Sequence, residues 1–132
     1  MKLSTITQKY VGKTFEELNC AQFVNDFYTD AGVSLPTSFE GLTLKNYMRE
    51  FIRNKRKVHG ILTKLIKSMG VESSVEFPKI GDLLLIYQPR VKVMFPAVYV
   101  GKSSAITSFT ETGVTVFKLS ELNKAIVARR VL

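Results

Sequence analysis

The sequence predicts an α+β domain, helices first and strands after, on three observations. Its 132 residues are 45% apolar, 23% charged and 11% aromatic with no long polar tract, enough for one core and too few for two. Up to about Met69 the apolar residues recur at helical spacing. Beyond Gly70 the chain breaks into short β-branched or aromatic runs separated by turn residues, without the strand–helix alternation that marks a parallel sheet.

Residues 3–11 read as a helix with Leu3, Ile6 and Tyr10 on one side and Gly12 as its stop. Thr14 and Glu17 have the spacing of a capping box, which predicts a further helical turn. Cys20, Phe23, Val24, Phe27 and Ala31 then form an amphipathic stripe, with Asn19 as N-cap and Gly32 as C-cap, so Cys20 falls in the first turn of that helix. Leu35 and Pro36 break it, and 37–41 reads as a loop. From Thr43 to Met69 the pattern is helical again, and Gly60 with the basic run predicts two helices rather than one. Strands are expected at 83–87, 91–94, 97–100, 105–108, 114–117 and 125–131. The expected architecture is a single domain over 1–132, with N-terminal helices packed on an antiparallel sheet of about five or six strands.

The formal charge is +8, and nearly all of it sits in residues 45–67, where Lys45, Arg49, Arg53, Lys55, Arg56, Lys57, Lys64 and Lys67 face one acid, Glu50. Two readings are open: a solvated helix face, or a salt-sensitive contact for an anionic polymer centred on Arg53, Lys55, Arg56 and Lys57. No aromatic residue interleaves with RNKRK to stack on bases. One cysteine and one histidine can build neither an internal disulfide nor a zinc site, and no cofactor or metal is expected. No apolar run reaches the ~20 residues of a membrane span, and the first residues hold no continuous apolar stretch of a secretory leader, so synthesis in a cytoplasm without a signal peptide is expected.

A cysteine in the first turn of a helix meets unpaired amides and the positive end of the helix dipole, which favour its thiolate. It is equally a residue type that fills cores as a small hydrophobe. The surrounding segments occur in one order: Tyr10-Val11-Gly12, Asn19-Cys20-Ala21-Gln22-Phe23-Val24, Ala31-Gly32-Val33-Ser34-Leu35-Pro36, Pro78-Lys79-Ile80-Gly81-Asp82-Leu83-Leu84 and Ala97-Val98-Tyr99-Val100-Gly101. This succession, over about residues 8–36 and 76–120, resembles the NlpC-type cell-wall cysteine peptidases, with residues 42–70 looking like an inserted basic helical segment. The resemblance implies a papain-like fold, a nucleophile at Cys20, a tyrosine near the oxyanion at Tyr10, and peptidoglycan stem peptides as the substrate class.

It also implies a histidine base at the head of the Val-Tyr-Val strand, where this chain has Phe95, and an orienting polar residue that falls at Thr107. Loss of the base in a catalytic unit of this kind costs on the order of 10⁴-fold in rate. His59 is the alternative base, although its place on an apolar stripe equally suits packing. The leading expectation is therefore a catalytically impaired module that binds or builds structure through a groove lined by Tyr10 and Phe95. Its expected setting is a phage tail tip or another envelope-contacting assembly, possession of protein partners and a place on the virion being what the resemblance implies. The alternatives are an active peptidase or amidase using Cys20 with His59 or a partner's histidine, and an anionic-polymer binder.

Overall fold

A computed structural model describes residues 2–132. Four helices, α1 (Leu3–Tyr10), α2 (Cys20–Asp30), α3 (Tyr47–Arg53) and α4 (Lys55–Ser68), pack with a six-stranded antiparallel sheet, and a two-stranded hairpin precedes α3. The strands are β1 (Ser38–Phe39), β2 (Leu42–Thr43), β3 (Val71–Glu72), β4 (Leu83–Gln88), β5 (Val93–Gly101), β6 (Ser104–Phe109), β7 (Gly113–Lys118) and β8 (Lys124–Arg130). The main sheet has the order β3-β8-β4-β5-β6-β7.

The α+β expectation holds, with local differences. Asn19 caps α2 as expected, through a reciprocal box with Gln22, and Gly32 follows the helix end at φ +89°. Thr14 contacts Glu17 and Leu18 N–H donates to the Thr14 carbonyl, which makes the single helical turn expected there, separate from α2. The basic helical segment divides at Asn54, which caps α4 by accepting from Lys57 N–H, and not at Gly60, which lies inside α4. The loop expected at 37–41 contains the small hairpin, turning at Glu40 and Gly41 with positive φ.

Alternating residues send the two faces of the sheet into two apolar clusters. Leu83, Leu85, Val98, Ile106 and Val114 join Phe23, Phe27 and Tyr28 of α2 and Leu62 and Ile66 of α4. Leu84, Ile86, Phe95, Ala97 and Ala105 join Cys20, Tyr47 and Val58. Val58, Leu62 and Ile66 recur at four-residue intervals on the buried side of α4, so this segment belongs to the core, while its basic residues stay on the solvent side.

β5 is one strand where the sequence pattern gives two, because it runs through Pro96. Tyr99 exchanges both its backbone bonds with the Gly81–Asp82 side, so alternate residues place the Pro96 nitrogen towards β6. Proline has no N–H to donate there, and the β5–β6 ladder stops at the Val98–Ile106 pair. Beyond that point the two strands part, held only where Thr107 Oγ1 donates to the Pro96 carbonyl at 2.7 Å. β6 continues paired with β7 as far as Phe109 and Gly113.

The edge of that β6–β7 hairpin is clamped to the N-terminal loop: Gly12 N–H donates to the Val114 carbonyl at 3.1 Å and Val114 N–H to the Lys13 carbonyl at 2.8 Å. Gly113, at φ +71°, lets the backbones approach, since a Cβ there would overlap the Lys13 carbonyl. Gly113→Ala is therefore expected to destabilise the fold by about 1–3 kcal/mol, read as a lower urea midpoint.

Candidate functional site

Cys20 is brought to its position by the capping box, which starts α2 at that residue, and it is buried at 7% exposure. It lies in a groove of about 490 Å³ formed where β5 and β6 part, between the tips of the β4–β5 and β6–β7 hairpins and beneath α3. Phe15, Met48, Phe51, Met94, Phe95 and Phe109 supply most of its apolar lining. Phe95, Phe109 and Phe117 pack edge to face with centroids 5.2–6.0 Å apart, which fixes the Phe95 ring as part of a wall. Phe95 and Cys20 thus share the groove, as the sequence motifs place them.

The groove offers three titratable side chains, Cys20, Tyr47 and, at the lip, the exposed Glu111. Burial pushes the Cys20 thiol up to about 11, against smaller lowering effects from the neighbouring Tyr47 hydroxyl and the backbone of Ala21. The expected activation by the helix start is outweighed by desolvation, and at pH 7 only about one thiol in 10⁴ is ionised. Tyr47 is itself buried, its pKa raised by burial first and then by the nearby thiol. Its hydroxyl has no hydrogen-bond partner; the thiol beside it, a weak acceptor, is not in hydrogen-bonding geometry.

His59, the chain's single histidine, does not line the groove. Its Nε2 accepts from the Met94 backbone N–H at 3.0 Å, which leaves the proton on Nδ1, and its ring meets Phe51 edge to face. Burial, and then Lys55, lowers its pKa, in keeping with a neutral acceptor. The alternation along β5 explains the contact: Met94, like Pro96, faces the side that β6 has left, and its freed N–H needs a partner.

Tyr10 is likewise not brought to the groove, correcting its expected place beside Phe95. It packs on Phe23 in the other cluster and donates through its hydroxyl to Asp30 at 2.7 Å. Asp30 also receives Lys9 at 2.9 Å, and these two contacts, Lys9 first, hold its carboxyl below the usual range. Thr107, the expected orienting residue, is fully buried and committed to Pro96. Arg53, Lys55, Arg56 and Lys57 are exposed around the α3–α4 junction, and Lys55 reaches the Val91 carbonyl at 3.4 Å. Tyr47 was not singled out by the sequence: at helical spacing it reads as one more apolar-stripe residue, and its free hydroxyl exists only through tertiary packing.

With this geometry in place, comparison with known proteins identifies the fold as papain-like, of the NlpC type. A solved NlpC/P60 family protein from Bacillus cereus ATCC 10987 superposes with a TM-score of 0.64 at 20% identity, over 98% of this chain. The chain spans 39% of the length of that protein. No protein-family model matches the sequence, and no curated protein matches it. Among the described residues no group of three His, Cys, Asp or Glu side chains is placed to hold a metal, and no helix is long and apolar enough to cross a membrane.

The buried thiol has a measurable consequence. The folded chain keeps the Cys20 proton up to about pH 11, whereas an unfolded cysteine releases it near about 8.5. The stability so gained is fully present below the lower value and is lost as pH rises towards the upper one. Urea unfolding at pH 8 and pH 10.5 is expected to show the wild type losing roughly 2–3 kcal/mol more than Cys20→Ala across that interval, the tyrosines being common to both.

Proposed function

We propose that the chain is an NlpC-type module that binds or builds structure without hydrolysing, and that it serves in a phage tail tip or another assembly contacting the cell envelope. The observation that carries the catalytic half of this reading is the groove itself, where an aromatic wall faces a protonated thiol and no imidazole is present. A cysteine hydrolase needs a base within about 3 Å, or one water, of the proton it removes. The only imidazole spends its lone pair on Met94. The setting in an envelope-contacting assembly rests on the NlpC-type fold and the motif resemblance, and stem peptides of peptidoglycan are the family's ligands to test first.

Incubation with purified muropeptides followed by mass spectrometry is expected to return them intact for the wild type and for Cys20→Ala alike. Cleavage that disappears in Cys20→Ala would establish a working peptidase, with its base supplied by His59 after rearrangement or by a partner chain.

A second reading has its own support. Arg53, Arg56 and Lys57 are exposed and form no ion pair among the described residues, which leaves them free to meet phosphates or another polyanion. Replacing Arg53, Lys55, Arg56 and Lys57 together by Ala should abolish salt-sensitive binding to DNA and flatten its dependence on salt. Undiminished binding would assign the patch to ordinary solvated surface.

A further inference from the structure

Cations without partners and exposed aliphatic side chains share one surface of the molecule. Residues 52–57, where α3 gives way to α4, are all exposed, and so are residues 89–92, the turn between β4 and β5. Lys55 Nζ donates to the Val91 carbonyl at 3.4 Å, so the two segments are neighbours. Together they carry Arg53, Lys55, Arg56, Lys57, Arg90 and Lys92 and not one carboxylate, whereas a surface that only keeps a protein in solution mixes both signs of charge. None of these six cations forms an ion pair among the described residues. Glu40 and Glu50 line a polar cavity together with Arg53 and Lys57, but they make their ion pairs with Lys64 and Arg49.

Among these cations stand Ile52, 81% exposed, and Val91, 53% exposed. A single exposed aliphatic residue is ordinary on any protein. Here both cationic segments carry one, Ile52 directly before Arg53 and Val91 between Arg90 and Lys92. The phosphates of a nucleic acid gain nothing from an aliphatic side chain, and neither segment holds an aromatic ring on which a base could stack. An anionic bilayer engages both kinds of residue: its phosphates attract the cations, and the boundary between headgroups and acyl chains takes up aliphatic tips.

We propose that the α3–α4 corner and the β4–β5 turn dock the protein on an anionic phospholipid surface, with Ile52 and Val91 entering the lipid boundary and the six cations meeting headgroup phosphates. This step rests on the second reading above, in which exposed cations are free to meet phosphates, and it narrows the polyanion to a lipid surface. The attraction then has two parts, one that salt screens and one, the burial of the aliphatic tips, that salt does not.

The test is sedimentation of the full chain with vesicles of phosphatidylcholine alone or of phosphatidylcholine mixed with phosphatidylglycerol. Binding to the mixed vesicles, little binding to the neutral ones, and weakening in half-molar sodium chloride are expected. Ile52→Ser with Val91→Ser should weaken binding to mixed vesicles about tenfold, because two partly buried aliphatic groups are lost, while the urea midpoint stays where it was, both positions being exposed in the free protein. The chain has no tryptophan, so Ile52→Trp adds a single fluorescent reporter. Its emission should shift to the blue on mixed vesicles and be quenched by phosphatidylcholine brominated along its acyl chains. Salt-sensitive binding to DNA but not to mixed vesicles, or vesicle binding with neither quenching nor an effect of the two serines, would overturn the proposal and leave the cation reading standing. Absence of salt-sensitive binding to both DNA and mixed vesicles would remove that reading and the proposal with it.

Discussion

A proline in the middle of a sheet strand sets the terms for the rest of the site. Pro96 has nothing to donate towards β6, and the β5–β6 ladder ends at the pair before it. The opening left between the strands is what Cys20, Phe95 and the α3 aromatics line. The same parting strands the Met94 N–H, which recruits His59, and leaves the Pro96 carbonyl to be taken by Thr107. His59 and Thr107, the two residues expected to complete a catalytic unit with Cys20, are thereby committed to backbone hydrogen bonds along β5.

Burial acts in the same direction on the cysteine. The start of a helix favours a thiolate by well under the cost of removing that charge from water, and here the second effect wins by about two pKa units. A position at a helix start is therefore a poor guide to reactivity unless the end of the helix also reaches solvent. Asn19, itself buried at 7% exposure, shows that this one does not.

Much of the fold was legible because local signals and tertiary packing agree. The stripe and caps of α2, the helical character of 43–69 and the β-branched runs after Gly70 all appear where their periodicity puts them. What was not legible depends on partners distant in sequence. Pro96 reads as a boundary between two strands, and only the position of β6 reveals that one strand passes through it. Asn54 outcompetes Gly60 as the helix break because its side chain caps the new helix, whereas a glycine within α4 faces open space and merely weakens it. In the site, Phe95 and Cys20 share one groove as the motifs imply, but Tyr10 points to Asp30 and its place near the thiol is filled by Tyr47. A tyrosine's hydroxyl is invisible to a periodicity argument, and so is whether it will find a partner.

The seclusion of Cys20 has a further consequence outside recognition. Peroxide and disulfide exchange both act through the thiolate, and this sulfur is kept protonated and almost wholly out of water. With no second cysteine in the chain an internal disulfide is ruled out, and it is the burial of this sulfur that disfavours a cross-link between folded copies.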